Sequence, residues 1–227
     1  MLLELAAFNL DSCRIATNVG VDRLELCENY TNGGITPTLD YFKEARRLFP
    51  ADIFVMIRPR EGNYVFSDEE FEEMLISLEQ FKKAGANGFV SGFFTDNEII
   101  NISQLLRFVE ICYPLPVTFH RSFDLLIDWK SGLDQLIECG CKRLLTSGDG
   151  KTAFEGRSRL KEMKEYVKER LIILPGGGIR SSNLQEIINT CHPREVHSAA
   201  LAADASITGN YTADKNELEE LRKILSF

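Results

Sequence analysis

Long apolar runs and clusters of positive charge are both missing from this sequence. No stretch approaches the ~18 consecutive apolar residues of a membrane-spanning helix, so we expect no membrane span. Lys and Arg number 26 against 34 Asp and Glu, which gives a formal net charge of −8. No basic run is longer than a dipeptide, whereas a nucleic-acid site requires clustered positive charge. The sequence therefore excludes nucleic acid as an expected partner.

Cysteine is too sparse for a domain held together by disulfides, with six in 227 residues. The segment Met1–Leu5 has no basic residue and includes Glu4, which is atypical of an export signal. Reduced thiols are typical of the cytosol. We therefore expect a cytoplasmic protein without a disulfide framework.

Short apolar runs alternate with longer amphipathic segments along the chain. The predicted strands are Leu2–Phe8, Arg23–Cys27, Ile53–Arg58, Phe89–Ser91, Pro116–His120, Leu144–Ser147, Leu171–Leu174 and Glu195–Ser198. Each is followed by a predicted helix, which indicates parallel strands with crossover connections. Eight such repeats fit a (β/α)8 TIM barrel, whose usual lower limit is ~200 residues. A doubly wound sheet is the alternative, but no Gly-x-Gly-x-x-Gly motif follows the first strand.

No linker or low-complexity segment divides the chain, so residues 1–227 are predicted to form a single TIM-barrel domain. Thr36 and Pro37 are predicted to open the second helix, and Thr152 the sixth. The segment Ala199–Ala213, after the last strand, is rich in small residues and is predicted to be irregular.

Several predicted strands carry polar side chains where a buried parallel strand is normally apolar. Active sites of TIM barrels lie at the C-terminal ends of the strands, so these side chains are predicted to supply acid/base chemistry at the barrel mouth. The candidate catalytic residues are Glu25, His120, Asp124, Glu195 and His197. His120 would act as a general acid/base, with Asp124 orienting it.

A second group of residues favours binding of a small anion. Consecutive glycines let backbone N–H groups approach an anion, and the following helix would point its positive end there. Guanidinium groups prefer carboxylate or phosphate. The candidate anion-binding residues are Arg58, Arg60, Gly176, Gly177, Gly178 and Ser147. The alternative interpretation is a tight glycine turn and an internal salt-bridge lattice of Glu4, Glu25 and Glu195 with the two arginines.

A metal site at the mouth is a further possibility. Cys27, His120 and His197 are the candidate ligands, and they would converge from three strands. Thiolate and imidazole suit Cu(I) or Zn(II). No Cys-x-x-Cys or His-x-x-x-His spacing supports this site.

Eight short strings occur in an order that closely resembles the copper homeostasis protein CutC family. They are Leu24-Glu25-Leu26-Cys27, Gly33-Gly34-Ile35-Thr36-Pro37, Ile57-Arg58-Pro59-Arg60, Val117-Thr118-Phe119-His120-Arg121, Phe123-Asp124, Leu145-Thr146-Ser147-Gly148, Pro175-Gly176-Gly177-Gly178-Ile179 and Glu195-Val196-His197-Ser198. The resemblance implies a TIM barrel, a cytoplasmic location, a homodimer and a role in copper handling through Cu(I) binding. Family members often carry Cys shortly after the first-strand glutamate, where this chain has Ala6, so Cys27 alone would supply a thiol.

Three functional hypotheses follow. The first is copper homeostasis with Cu(I) bound at Cys27, assisted by His120 or His197. The second is an enzyme that acts on a small phosphorylated or carboxylated metabolite by acid/base chemistry. The third is a non-catalytic scaffold for a protein partner, which no positive feature of the sequence supports.

Overall fold

Eight parallel strands surround a common axis and alternate with helices in a computed structural model that describes residues 1–226. The strands are β1 Leu2–Ala7, β2 Arg23–Leu26, β3 Asp52–Met56, β4 Gly88–Ser91, β5 Val117–Phe119, β6 Arg143–Thr146, β7 Ile172–Pro175 and β8 Glu195–Ser198. Their order is β7-β6-β5-β4-β3-β2-β1-β8. Since β8 pairs with β1 and packs beside β7, the predicted TIM barrel is confirmed and is nearly closed.

Nine helices pack around the strands in the described part of the chain. They are α1 Leu10–Val19, α2 Leu39–Leu48, α3 Asp68–Ala84, α4 Ile102–Cys112, α5 Trp129–Glu138, α6 Arg157–Val167, α7 Ser181–Cys191, α8 Ala205–Thr208 and α9 Lys215–Leu225. None of these helices is both long and apolar enough to cross a membrane.

Two predicted helix starts were wrong. Helix α2 begins at Leu39, because the Thr38 side chain accepts the Tyr41 N–H as its N-cap, and Pro37 lies before the helix. Helix α6 begins at Arg157 rather than Thr152. The segment Ala199–Ala213 is less irregular than predicted, since it contains α8 and a single β-bridge between Leu201 and Ala213.

Most of the hydrophobic core lies between the strands and the helices. Leucines of β1 and β2 that face outward, such as Leu5 and Leu24, are fully buried against helix residues such as Phe42 and Leu221. A separate small apolar cluster, Cys27, Phe54, Met56 and Val90, lies inside the barrel. Other strand residues that point into the barrel are polar, and several of them are charged.

Buried ion pairs fill the N-terminal end of the barrel interior. Arg23 donates to Glu4 and to Glu195, and Arg143 Nε lies 3.0 Å from Glu195 Oε2. The aromatic ring of Phe54 lies 4.7 Å from the Arg23 guanidinium and 4.9 Å from that of Arg143. An internal lattice therefore exists, but its cations are Arg23 and Arg143 and not the two predicted arginines.

Candidate functional site

A cavity of about 260 Å³ opens at the C-terminal ends of the strands. The residues of its lining that carry chemistry are Glu25, Arg58, His120, Arg121, Gly177, Gly178 and His197. They come from β2, from β8 and from the segments that follow β3, β5 and β7. The barrel topology thus brings together side chains that are up to 172 residues apart, counted from Glu25 to His197 as 197 − 25.

Arg58 is a buried cation without a carboxylate partner among residues 1–226. Its Nη1 donates to the carbonyls of Asn32 and Gly34, at 2.7 Å and 3.1 Å, and its Nη2 donates to the Gly62 carbonyl at 3.0 Å. Its Nε has no hydrogen-bond partner. A buried, uncompensated charge costs several kcal/mol, on the order of the penalty for any desolvated ion. An anion in the cavity would supply the missing counter-charge.

Arg121 covers the glycine turn that follows β7. A Cβ placed on Gly177 would lie 2.7 Å from Arg121 Nη1, and Gly177 has a φ of +98°. Glycine is therefore required here both for the backbone conformation and for the close approach of the guanidinium. The N–H groups of Gly177 and Gly178 donate to no acceptor in the described chain, so they are available to an anion.

His120 is held in one orientation by Ser122. The Ser122 N–H donates to His120 Nδ1 at 3.3 Å, and Ser122 Oγ lies 2.9 Å from the same nitrogen. Burial and the nearby positive charge of Arg58 lower the His120 pKa to about 3, so the ring is neutral at physiological pH. Since Nδ1 accepts a hydrogen bond, we assign the proton to Nε2, which is buried and has no partner.

A row of three titratable groups extends from the cavity lining into the barrel. His197 Nδ1 lies 2.7 Å from Glu4 Oε1, and its Nε2 lies 3.7 Å from Glu25 Oε2. Burial would lower the His197 pKa, but the negative charges of Glu25 and Glu4 and the hydrogen bond to Glu4 raise it overall. Burial raises the Glu25 pKa to about 7 against the opposing charge of His197. The Glu4 pKa falls to about 2, because the His197 hydrogen bond and the Arg23 charge outweigh burial.

Five predicted catalytic and anion-binding residues lie outside the cavity lining, as does the predicted metal ligand Cys27. Glu195 begins β8 and belongs to the ion pairs at the opposite end of the barrel, with Arg23 and Arg143. Arg60 pairs with Glu70 in the capped first turn of α3. Gly176 is needed for packing, since a Cβ there would lie 3.2 Å from the His197 ring.

Asp124 and Ser147 are the other two, and they bind each other instead of facing the cavity. Asp124 Oδ2 accepts from Ser147 Oγ at 2.9 Å and from Arg121 Nε at 3.0 Å. Contrary to the prediction, Asp124 does not hydrogen-bond to His120. Ser122 orients the His120 ring instead. Asp124 instead fixes Arg121, a cavity residue that sequence reasoning did not select.

The positive end of α7 is already neutralised by the protein. The Ser181 N–H donates to Glu217 Oε1 at 2.7 Å, and its Oγ donates to Glu217 Oε2 at 3.0 Å. Glu217 belongs to α9, which packs against α7. The Ser181 N–H is therefore not available to an anion, and only the N–H groups of Gly177 and Gly178 remain as candidates in this turn.

The sequence profile of the CutC family matches residues 1–202. The chain belongs to the CutC family. A CutC family protein of Histophilus somni is 37% identical over 99% of both chains. The human copper homeostasis protein cutC homolog is 38% identical over 88% of this chain and 73% of its own.

Solved structures agree with this assignment. The crystal structure of CutC from Streptococcus agalactiae has a TM-score of 0.83 and 30% identity, and the match covers 88% of this chain and 98% of that one. Phosphoribosyl anthranilate isomerase from Thermotoga maritima has a TM-score of 0.67 at 14% identity, covering 100% and 98% of the two chains. At that identity the second likeness shows the barrel fold alone.

The donor set of this CutC barrel does not fit a copper centre. Cys27 is buried among Phe54, Met56 and Val90, and burial together with the charge of Glu25 raises its pKa well above the usual value. Cu(I) prefers several soft ligands, and a single thiol that stays protonated beside one thioether is a poor site. Within residues 1–226 no group of three or more His, Cys, Asp or Glu side chains is placed to hold a metal ion.

Proposed function

We propose that this CutC-family barrel binds a small phosphorylated or carboxylated metabolite at its mouth and acts on it by acid/base chemistry. The observation that carries the proposal is Arg58, a buried guanidinium whose partners are carbonyl groups and no carboxylate of the described chain. Arg121 and the N–H groups of Gly177 and Gly178 line the same cavity. Together they form a cationic rim for one or two negative charges.

The names of the relatives support a role in copper homeostasis, and we propose this as the process that the protein serves. The protein would serve this process by acting on a small molecule and not by binding Cu(I), because its donor set is unsuited to copper. All six cysteines are free and buried, which supports a cytoplasmic location as part of the proposal.

The test is thermal stabilisation of the wild-type protein by a panel of sugar phosphates and small carboxylates. A ligand at 100 times its dissociation constant adds about 2.7 kcal/mol of stability, which corresponds to a rise in Tm of about 5–10 °C for a domain of this size. The variant Arg58→Met should lose the shift, and without ligand its Tm should match or exceed that of the wild type.

Arg107→Met is the matched control, because Arg107 is an exposed residue paired with Glu72 on the outer surface. It should respond to ligands as the wild type does. The absence of any shift across the panel, or an equal shift in Arg58→Met, would contradict the proposal.

A further inference from the structure

Besides Arg58 Nε, two buried polar atoms without partners in the described chain belong to residues of the same cavity lining. They are Glu25 Oε1 and His120 Nε2. A buried polar atom left unpaired costs about 1–3 kcal/mol, so such atoms mark places where a ligand completes the hydrogen bonding. Glu25 comes from β2 and His120 follows β5, so two strands that are not neighbours contribute these residues to the cavity lining.

The two atoms have opposite hydrogen-bonding character. Glu25 Oε1 accepts a hydrogen bond or a proton. His120 Nε2 donates, because the Ser122 N–H already occupies Nδ1. Gly92 permits this arrangement, since a Cβ at that position would lie 2.6 Å from Ser122 Oγ and 2.7 Å from His120 Nδ1. The cavity therefore presents one base and one neutral donor beside the Arg58 cation.

We propose that the anionic substrate carries a carbonyl group next to a C–H bond, and that the protein transfers a proton at that carbon, with Glu25 as the base and His120 as the donor to the carbonyl oxygen. This inference rests on the proposed function, because Arg58 and Arg121 must hold the anionic end of the molecule. It names the reaction class and the substrate class of that site.

The step balances without a further reactant. The Glu25 carboxylate takes the proton from carbon, and the C–H electron pair forms a carbon–carbon double bond. The carbonyl π pair moves to oxygen, where the developing negative charge accepts a hydrogen bond from His120 Nε2–H. After the Glu25 carboxyl proton has exchanged with solvent, its return to the original carbon replaces that hydrogen. Where that carbon also carries a hydroxyl group, transfer of the hydroxyl proton to the former carbonyl oxygen and return of the Glu25 proton to the neighbouring carbon isomerise the substrate.

The electrostatics of the two groups suit these roles. A pKa near 7 lets Glu25 be ionised in a large fraction of molecules at neutral pH while it stays a stronger base than an ordinary carboxylate. His120 stays neutral beside Arg58, and a neutral imidazole is an effective donor to an enolate oxygen. The Tyr64 ring packs against the His120 ring at a tilt of 59°, with centroids 4.8 Å apart, and His120 is buried.

The experiment measures loss of C–H proton signals by NMR in D2O. The probes are dihydroxyacetone phosphate and ribulose 5-phosphate, with glycerol 3-phosphate as the matched ligand that lacks the carbonyl. We expect catalysed exchange with a carbonyl probe and none with glycerol 3-phosphate. Glu25→Gln should lower the exchange rate by about 10²–10⁴-fold, the range for a lost general base.

Two substitutions separate the roles of the His120 nitrogens. His120→Asn places an acceptor near the Nδ1 position and removes the Nε2 donor, so exchange should fall by about 10²–10³-fold. His120→Gln restores an N–H donor near the Nε2 position and should retain more activity than His120→Asn. His192→Asn, which changes an exposed histidine at the end of α7, should leave exchange unchanged. Stabilisation of each variant by glycerol 3-phosphate shows that it is folded and binds anions.

The outcomes distinguish the two proposals. If the carbonyl probes stabilise the protein but no C–H exchange occurs, the reaction assignment is overturned and the binding proposal stands. If no phosphate or carboxylate stabilises the protein, both are overturned. If exchange persists undiminished in Glu25→Gln or His120→Asn, the assignment of these residues is wrong.

Discussion

His197 Nδ1 donates to Glu4 Oε1 over 2.7 Å, and this contact links β8 to β1 inside the barrel. The same imidazole faces Glu25 with its other nitrogen. The two carboxylates differ in their surroundings, because Glu4 also binds Arg23 whereas Glu25 Oε1 has no partner. One acid is therefore fixed as an anion while the other is free to exchange a proton.

The glycine turn after β7 should not tolerate a methyl group. Gly177→Ala places a Cβ against Arg121 at a φ of +98°, so we expect a loss of stability above the ~1–2 kcal/mol of a left-handed backbone alone, together with weaker anion binding. Urea denaturation and ligand titration measure the two effects. Gly209→Ala is the control, since it has a φ of +68° with nothing within 4 Å of the added methyl group. Equal losses in both variants would contradict the role of Arg121.

The charge state of His120 should make stability depend on pH. Its folded pKa is about 3 against an ordinary value of 6.5, so the unfolded chain binds more protons between these values. Wild-type stability should therefore fall relative to His120→Gln as pH drops from about 6.5 towards 3, by up to about 1.4 kcal/mol per pH unit. Denaturation curves of both proteins across this range provide the measurement. A stability difference that is constant with pH would show that the imidazole is not kept neutral by the fold.

Breaking the buried ion pairs should lower the free energy of unfolding without changing anion binding in the cavity. Glu195→Gln leaves Arg23 and Arg143 without part of their counter-charge, and we expect a loss of about 3–5 kcal/mol. Glu169→Gln, which disrupts an exposed pair with Arg194, should cost less than about 1 kcal/mol. Anion affinity of folded Glu195→Gln should equal that of the wild type. A loss of affinity confined to Glu195→Gln would place Glu195 in the site after all.

Copper should bind weakly. In an anaerobic Cu(I) competition titration against a strong chelator, we expect neither the wild type nor Cys27→Ser to retain a stoichiometric ion, because the Cys27 thiol is buried beside Glu25 and has a raised pKa. Tight binding by the wild type that is lost in Cys27→Ser would contradict this prediction and show that the protein binds copper directly.

Periodicity was sufficient to predict the barrel and the approximate positions of its strands. Strand β8 coincides with its predicted limits, and the other strands begin and end within two residues of theirs. Arg58, His120 and Glu25 were selected as polar residues near the ends of strands, and all three line the cavity. Side chains alternate between the two faces of a strand, so the sequence alone indicates which residues point into the barrel. That was sufficient to select these three residues.

The height of a side chain along the barrel axis and the conformation of the loops could not be predicted from the strand pattern. Glu195 and His197 share a face, but only His197 reaches the cavity, because the register of β8 against β1 sets the height of each side chain. Asp124 and Ser122 lie in one 3₁₀ turn, Arg121–Leu125, and the sequence does not tell which of them contacts His120. Glu217 is 36 positions from Ser181, so no local pattern indicates that contact.

Phe54 occupies the space where a side chain at position 88 would lie, since a Cβ on Gly88 would be 2.6 Å from the ring. The ring fills the gap between two like-charged guanidinium groups. Any side chain at position 88 would force the ring to move away from the two arginines. A residue without a side chain thus keeps two like charges apart inside the barrel, and a larger residue at position 88 would require a smaller one at position 54.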